Sequence, residues 1–528
     1  MKRCSVMMIA ALLVFGLGAS HLAAQKHGGT LVFIHRGAIP TLSLHESGTV
    51  STVVPMMPIY NNLVLFDPLQ PMESTDTIIP ELATAWRWGD GGKALTFTLR
   101  GDVKFHDGKP FTAADVKHTF DMVRGATSGG MKLNPRKIWY ENVRDITTSG
   151  DHEVTFHLGR PQPALLVMLA SGYSPVYPAH VPAAELRTGA IGTGPFRLVS
   201  YDRGKGFVHA KNPDYFVKGR PYLDGIRLPI IEKRGTRQAA LLAGQGDVGW
   251  PYEIKKSVKA QLESQAPQLR FVLGSMNVSE NLLMNAKKPP FSDARLRKVV
   301  GLAMDRTGLL KSVHQGVGLL GGAMLPKPYG VWGLPPDLLV QVPGMGDIDR
   351  ERERARDIMR ELGYGPDKPL RVTVSTRATS IYVDTAVWLV SELKHVWIEA
   401  ELKQIESGNW YGMMARRDYQ IALNLGGIGA DEPDANFFEN YTCTSQRNYS
   451  DYCNPEVEKK FVAQSSELDP AKRLRLVNEI DLQLQEEGAR PILLHRVGWT
   501  GHWPHVKNLV IHQTQFSAWR MQDVWLDR

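Results

Sequence analysis

The sequence predicts an α/β fold with two lobes. Segments with strand-like and helix-like patterns alternate in both halves of the chain, which is typical of α/β lobes. The chain has 528 residues, and because domains usually contain about 100–200 residues, more than one core is expected. Hydrophobic residues make up 43% and charged residues 22% of the composition. These values are those of a globular protein and exclude a wholly disordered chain and a polytopic membrane protein.

The net charge is mildly positive. Lys and Arg number 62 and Asp and Glu number 54, which gives a formal charge of +8. The excess is spread along the chain and is not gathered into a basic patch or stripe. We therefore expect no nucleic-acid partner.

The first 24 residues have the layout of a secretory signal peptide. Lys2 and Arg3 form a positive start, an apolar run covers residues 6–17, and small residues lead to Ala24. A permanent membrane anchor is the less favoured alternative, because a spanning helix needs about 20 apolar residues. Cys4 precedes the apolar run and so cannot be the lipid-accepting Cys of a lipoprotein. We expect a cleaved, exported and periplasmic protein, with residues 1–24 removed.

After cleavage only two cysteines remain, Cys443 and Cys453. In an oxidising compartment such a pair is predicted to form a disulfide. Closing this short loop stabilises a fold by about 2–3 kcal/mol on the chain-entropy model. No second pair of cysteines is present to complete a metal site, so no metal is expected there.

The elements of the first half follow in order. Alternating or continuous apolar runs predict strands, and the helix that begins after Thr112 has a capping box, with Asp115 three residues later. A further helix is predicted over 235–246. The predicted strands are 29–34, 95–99, 153–158, 196–201 and 226–231.

The second half alternates in the same way. Asp293 and Asp305 are predicted N-caps, and Asp469 precedes a Pro at the first helical position. The predicted helices and strands are helix 350–362 ending at Gly363, strand 370–375, helix 384–396, strand 399–404, and a helix from Pro470 to a stop at Gly488.

Enzyme motifs are weak. Gly316 to Gly321 matches the dinucleotide-binding pattern, but it follows a helix and opens none. Four histidines near the C-terminus could suggest a metal site, but their spacing matches no helical face, so structural roles are favoured. They are His495, His502, His505 and His512. We predict no catalytic residue, no metal and no cofactor.

One long segment carries a specific resemblance. Residues 94–116 contain Phe105-His106-Asp107-Gly108-Lys109-Pro110-Phe111, and further landmarks follow in order along the chain. They are Gly192-Thr193-Gly194-Pro195-Phe196, then Gly219-Arg220-Pro221-Tyr222-Leu223-Asp224, residues 241–248, and Pro290-Phe291-Ser292-Asp293. This pattern resembles the family 5 extracellular solute-binding proteins, the peptide/nickel-type receptors of ABC importers.

The resemblance implies a two-lobe clamshell of the type II, large cluster C form. Lobe I would comprise residues 25–281 and 497–528, with an extra subdomain inserted around 75–190, and lobe II would comprise 282–496. A ligand would bind in the cleft and be delivered to a membrane permease, without chemistry and by a monomer.

The sequence leaves the ligand open. A peptide or a polar solute of similar size is expected, with an opine, an oligosaccharide-like compound, a nickel chelate or haem as alternatives on the same scaffold. A secreted hydrolase and a periplasmic folding helper are hypotheses of other classes.

The resemblance also points to candidate ligand contacts in lobe II. Peptide-binding relatives hold the ligand's ammonium with an Asp that follows a Trp, and here Asp431 and Ile428 occupy those places. Asp431 would pair with an ammonium, whereas Ile428 removes an aromatic wall. Asp434 is either a rival partner or a helix cap. For Asp431 the alternative is a loop carboxylate that caps backbone N–H groups.

Further candidates follow the strand at 370–375 and lie near the N-terminus. Arg377 could hold a carboxylate or phosphate in two hydrogen bonds, or it is a solvated loop residue. Aromatic residues could stack on a ligand or belong to an ordinary core, and small polar residues could contact the cleft floor or form a turn. The aromatic candidates are Tyr382, Trp410, Tyr411 and Tyr441, and the small ones are Ser47, Gly48 and Thr49.

Overall fold

The structure is a computed structural model that describes residues 25–127, 130–517 and 519–528. The signal peptide predicted over 1–24 lies outside the described residues. Within one helix the side chains of Ser407, Gly408 and Tyr411 also lie outside the description.

Strands occur in both halves of the chain. In chain order they are β1 Thr30–Val32, β2 Val64–Phe66, β3 Ile78–Pro80, β4 Ala83–Gly89, β5 Ala94–Leu99, β6 Val143–Thr148, β7 Glu153–Leu158, β8 Phe196–Asp202, β9 Gly206–Lys211, β10 Gly225–Pro229, β11 Arg270–Met284, β12 Leu370–Arg377, β13 Ile398–Ile405, β14 Ile421–Gly427, β15 Ile492–His502, β16 Val506–Lys507 and β17 Trp525–Leu526.

Helices alternate with these strands. In chain order the α-helices are α1 Val50–Met56, α2 Ala113–Arg124, α3 Ala164–Ala170, α4 Arg234–Leu242, α5 Lys256–Gln265, α6 Ala294–Ala303, α7 Arg306–Ser312, α8 Pro336–Leu339, α9 Ile348–Glu361, α10 Ser380–Lys394, α11 Ser407–Arg416, α12 Pro433–Tyr441, α13 Pro455–Ser466 and α14 Pro470–Glu486.

Most predicted elements are confirmed, and the caps explain where the helices begin. The capping box of Thr112 and Asp115 is formed at the start of α2. Asp293, Asp305 and Asp469 accept hydrogen bonds from the first free backbone N–H groups of α6, α7 and α14.

Two four-stranded sheets form the N-terminal part. The order in one is β1-β10-β9-β8, with β1 parallel to β10, and the order in the other is β4-β5-β7-β6, which is antiparallel. Leu95, Phe97 and Leu99 of β5 are buried, and Thr98 between them is exposed. The second of these sheets and helix α2 lie inside the segment 75–190 that is expected to form an inserted subdomain.

A five-stranded mixed sheet forms the second part, in the order β13-β12-β14-β11-β15. β12 is parallel to β13 and β14, and β11 is antiparallel to β14 and β15. The long strands β11 and β15 join the two parts: Val272 packs against the N-terminal core, whereas Leu282 belongs to the core of the second part. Their pairing is shifted between Ser275 and Ser279.

We use these cores to name two units. The first unit contains the core residues between Leu31 and Tyr252 and those between Val506 and Leu526. The second unit contains the core residues between Leu282 and Leu494, except that Ile428, Ala430 and Ala435 of this stretch pack into the core of the first unit. The lobe boundaries at 281/282 and 496/497 lie within β11 and β15 and stay a prediction. None of the helices in the described ranges is long and apolar enough to cross a membrane.

The C-terminal tail returns to the first unit. Arg520 is almost completely buried and donates hydrogen bonds to the backbone carbonyls of Met57, at 2.6 Å, and Tyr60. It also forms an ion pair with Glu81, with 2.7 Å between Nε and Oε1. The tail is thereby attached to the first unit by a buried charge pair.

The predicted disulfide between Cys443 and Cys453 is formed. It closes the loop that follows α12, and this loop carries Arg447 and Tyr449, which line a cavity between the two units. We expect the double substitution C443S/C453S to lower the free energy of unfolding by about 2–3 kcal/mol, because the unfolded chain regains loop entropy. Urea unfolding of the oxidised wild type and of the variant measures this loss. Chemically reduced wild type should have the same free energy of unfolding as the variant. An unchanged free energy of unfolding would contradict the prediction.

Candidate functional site

The cavity between the two units has a volume of about 750 Å³. Residues of both units form its wall, including the long strands that join them. The wall residues lie in the segments 36–38, 48–51, 232–237, 250–256, 276–278, 313–317, 377–382, 424–427 and 515–516, and they include Asn440, Arg447, Tyr449, Arg490, Arg496 and Val497. A cavity of this size falls within the range of small-molecule sites, about 300–1,000 Å³.

Three of the candidate residues and Gly48 line this cavity. Thr49 is the N-cap of α1, and its side chain accepts a hydrogen bond from the backbone N–H of Ser51 at 3.2 Å. Arg377 ends β12, and its guanidinium lies 5.1 Å from the ring centroid of Tyr382, which also lines the cavity. The carboxyl end of a parallel strand therefore presents Arg377, as expected from the sequence.

The other candidates lie outside the cavity wall. Trp410 is completely buried, and its ring centroid lies 5.6 Å from the Arg377 guanidinium, so it supports that residue from behind. Ser47 is buried, and its backbone carbonyl accepts a hydrogen bond from Arg136. Ile428 packs into the core of the first unit, and Ile428 and Tyr441 border a small void beside Arg490. The side chain of Tyr411 lies outside the described residues.

Asp431 faces the loop at 331–332 and not the cavity. Its Oδ2 accepts a hydrogen bond from the backbone N–H of Val331 at 3.0 Å, as in the alternative interpretation of a loop carboxylate. Burial raises the pKa of Asp431 to about 8, against the effect of this hydrogen bond. The carboxyl group is therefore largely protonated at neutral pH, a state that does not attract an ammonium group.

This protonation predicts a pH dependence. Between about pH 4 and pH 8 folded Asp431 keeps a proton that the unfolded chain has lost, so its contribution to stability falls as pH rises. We expect Asp431→Asn to gain stability relative to wild type from pH 5 to pH 8, by up to about 1.4 kcal/mol per pH unit. Urea unfolding of both proteins at each pH measures the difference. A difference that stays constant would mean that Asp431 titrates normally.

Asp434 is a buried structural residue. The cap of α12 is Glu432, whose side chain accepts a hydrogen bond from the Asp434 N–H at 3.2 Å, so the interpretation of Asp434 as the cap is wrong. The carboxylate of Asp434 is fully buried and accepts hydrogen bonds from Gln162, Gln464 and Ser465 at 2.6–2.8 Å. Asp434 therefore connects the first unit, which supplies Gln162, with the helices of the second.

Two arginines that no sequence pattern singled out define the cavity. Arg36 follows β1, donates a hydrogen bond to Ser51 Oγ at 2.8 Å and lies 4.9 Å from the ring centroid of Trp250. Arg490 precedes β15 and donates hydrogen bonds to the side-chain oxygens of Asn281, at 2.9 Å, and Asn440, at 2.5 Å. No motif marks either residue, because their partners are distant in the sequence.

Gly426 makes room for Arg490. A Cβ atom at this position would lie 2.2 Å from the Nη2 atom of Arg490, closer than any real contact. A glycine at the end of β14 is therefore required for the guanidinium to reach the cavity wall. This glycine is the sequence signal that could have pointed to a side chain crossing the strand.

The charged residues of the cavity wall are mainly cationic. Nine Arg and Lys residues of the described chain contribute to its wall, and the carboxylates that do so are Glu232 and Glu253. Glu253 is paired with Arg237. The cationic residues are Arg36, Arg234, Arg237, Lys255, Lys256, Arg377, Arg447, Arg490 and Arg496.

Three carboxylates behind the wall each pair with one of these cations. Glu280 binds Arg496, Asp384 lies 3.7 Å from Lys255, and Glu439 lies 2.6 Å from Arg447. Burial raises the pKa of Glu280, but Arg496 and His314 outweigh burial and lower the pKa to about 2. Glu280 thus stays ionised, and even with these three the cations outnumber the carboxylates.

The C-terminal histidines take part in separate contacts. His495 hydrogen-bonds to the carbonyl of Gly322 at 2.9 Å, and His505 contacts Asp247 at 2.7 Å. His502 bonds to the carbonyl of Trp503 at 3.0 Å, and His512 lies 3.4 Å from Glu73. Over the described residues, no three His, Cys, Asp or Glu side chains are grouped so as to hold a metal ion.

Two α/β units enclosing a polar cavity define a class of protein, the two-lobe binding protein. The profile of the bacterial extracellular solute-binding proteins, family 5, middle region, matches residues 77–449, which is more than half of the chain. The chain belongs to this family, and the resemblance found in the sequence is confirmed. Its function is accordingly that of a substrate-binding component of an ABC importer.

Similar proteins share its length and fold. The dipeptide-binding protein of Escherichia coli strain K12 is 24% identical over 533 residues, with 94% of each chain covered. Among solved structures, Helicobacter pylori DppA in complex with the peptide STSA has a TM-score of 0.81 at 19% identity, covering 95% of this chain and 99% of that one. AgaA of A. tumefaciens R10, in complex with agropinic acid, has a TM-score of 0.80 at 21% identity, with the same coverage. These likenesses show the α/β two-lobe fold.

Proposed function

We propose that the mature protein is a monomeric periplasmic receptor that captures a solute of peptide size between its units and delivers it to the permease. Residues 1–24 direct export and are removed, and residue 4 carries no lipid. The observation that supports this function is the cavity of about 750 Å³ with a wall from both units. The names of the relatives, which refer to dipeptides, a peptide and agropinic acid, agree with this size.

Capture works by closing the two units on the ligand. A ligand that contacts both walls at once binds the closed arrangement more tightly than the open one, and it therefore shifts the population towards closure. Contacts outside the cavity also cross between the units, including the hydrogen bond from Ser171 Oγ to the carbonyl of Gly429 at 2.8 Å. The receptor carries out no reaction on the ligand and binds no nucleic acid.

Native mass spectrometry of the mature protein, purified gently from its own periplasm, tests this function. We expect a chain that begins near Gln25, at the mass of a monomer, with a bound small molecule that is lost on unfolding. A chain that retains residues 1–24 would contradict export by cleavage. A protein with no saturable ligand from any solute class would contradict the receptor function.

A further inference from the structure

The distribution of charge in the cavity indicates the chemistry of the ligand, and this inference rests on the proposed receptor function. Within two groups of the cations of the wall the charges lie close enough to affect one another. The first group contains Arg36, Arg237 and Arg377. Desolvation inside the cavity lowers the pKa of Arg36, Tyr382 and Glu253 raise it, and the charges of Arg237 and Arg377 lower it further. Arg36 is exposed to the cavity, and within the described residues it forms no ion pair with a carboxylate.

The second group contains Arg490 and Arg447. Arg490 is held by two neutral amide side chains, Asn281 and Asn440, so its hydrogen bonds fix its position without neutralising its charge. In the part of the chain that the structure describes, it forms no ion pair with a carboxylate. Burial lowers the pKa of Arg490, and the charge of Arg447 adds to this effect.

One short segment relates the two groups. Ser51 Oγ accepts a hydrogen bond from Arg36. Gly48 lies beside Arg447, because a Cβ atom at this position would be 2.8 Å from Nη1 of Arg447. Gly48 and Ser51 are three residues apart, which limits the distance between their Cα atoms to about 10 Å. Two acidic groups of one small molecule can therefore reach both groups of cations.

Of the two carboxylates in the wall, Glu232 is exposed and forms no ion pair within the described residues, whereas Glu253 is paired with Arg237. Nε of Arg237 donates hydrogen bonds of 2.9 and 3.1 Å to the two carboxylate oxygens of Glu253. Asp431, the candidate ammonium partner, lies outside the cavity, with a carboxyl that burial keeps protonated at neutral pH. With Glu232 as the wall carboxylate that forms no ion pair among the described residues, the fixed charges of the site complement an anion better than a cation.

We propose that the ligand is a small solute with two acidic groups, carboxylate or phosphate, one bound by the Arg36 group and the other by the Arg490 group, and that a free ammonium group is not required. Arginine suits both kinds of acid, because its planar guanidinium donates paired hydrogen bonds to carboxylate and phosphate oxygens.

Four blocked or unblocked tripeptides test the proposal by isothermal titration calorimetry. Ac-Glu-Ala-Glu-amide carries two carboxylates, and Ac-Gln-Ala-Gln-amide is its neutral counterpart. A third blocked peptide, with phosphoserine in place of both glutamates, carries two phosphates. Ala-Ala-Ala has a free ammonium group. We expect one or both acidic peptides to bind at least about tenfold more tightly than the glutamine peptide, and the stronger of the two identifies the acid.

Three variants locate the binding groups. Arg36→Gln and Arg490→Gln should each weaken the acidic peptide about tenfold or more, as expected for the loss of charge-assisted hydrogen bonds. Arg371→Gln is the matched control, because Arg371 pairs with Glu399 on the exposed surface of β12 and β13. Arg36 is exposed to the cavity, so its variant remains informative if Arg490→Gln fails to fold.

The outcomes separate this inference from the receptor function. Equal or tighter binding of the glutamine peptide or Ala-Ala-Ala would overturn the inference and leave the receptor function in place. If no peptide binds, the molecule found by native mass spectrometry decides: fewer than two acidic groups overturns the inference, and two or more supports it. The absence of any ligand by both methods would overturn both.

Discussion

Arg520→Met is expected to lower the free energy of unfolding by about 3–5 kcal/mol, the scale of breaking a buried ion pair by removing one partner. Glu81 is 4% exposed, burial raises its pKa, and without the guanidinium it would be left as a buried carboxyl that has no ion-pair partner. The carbonyls of Met57 and Tyr60 would also lose a donor. Urea unfolding at pH 7, followed by circular dichroism, measures the loss.

Two further variants separate the buried charge from a general effect on the tail. Arg220→Met removes the more exposed ion pair with Asp523, which lies in the same tail, and should cost about 1 kcal/mol or less. Adding Glu81→Gln to Arg520→Met should restore part of the loss, because the unpaired buried carboxyl is replaced by a neutral amide that does not titrate. If Arg520→Met were as stable as Arg220→Met, the ion pair would not hold the tail.

The attachment of the tail shows which parts of the fold the sequence could predict. Local patterns depend on neighbouring residues, so the capping box at Thr112 and the N-cap Asp469 could be predicted and are confirmed. The partner of Arg520 is 439 residues away in the chain. No local pattern encodes such a pair, and only the family resemblance placed the tail with the first unit.

The same reason explains which site residues could be predicted. Arg377 and Tyr382 were found because they follow a strand whose carboxyl end could be located in the sequence. Arg490 lies between a helix and a strand without any motif, and its position depends on Asn281, 209 residues away. Its charge becomes part of a binding site only when both units are folded around the cavity.

Asp431 is the opposite case, a residue that the resemblance in the sequence suggested as a ligand contact and that the fold places outside the cavity. Its environment in the fold is a buried one that favours the protonated form. A carboxylate can be read from a sequence, whereas its pKa depends on its burial in the fold and on hydrogen-bond partners such as Val331, 100 positions away. Sequence patterns therefore identify the residue type, and the folded environment decides its charge.

Asp434→Asn is expected to lower the free energy of unfolding by about 3 kcal/mol or more, because Asp434 is a fully buried acceptor for charged and neutral donors. The NH₂ group of an asparagine would replace one of the two acceptor oxygens. In one orientation it would face the donors of Gln162 and Ser465, and in the other it would face the donor of Gln464. Arg473 would retain Glu432 as its main partner. Urea unfolding at neutral pH measures the effect.

A double-mutant cycle with Gln162→Leu isolates the bond between the units. Gln162 donates to Asp434 Oδ2 at 2.8 Å from the first unit, across 272 residues of sequence. A hydrogen bond to a charged acceptor predicts a coupling energy of about 1.5–3 kcal/mol. Arg160→Leu, which removes a neighbouring bond between the units to Ser465 Oγ at 2.6 Å, serves as the comparison. If the effects of Gln162→Leu and Asp434→Asn simply added, this hydrogen bond would not stabilise the contact between the units, and closure would depend on the cavity and its ligand instead.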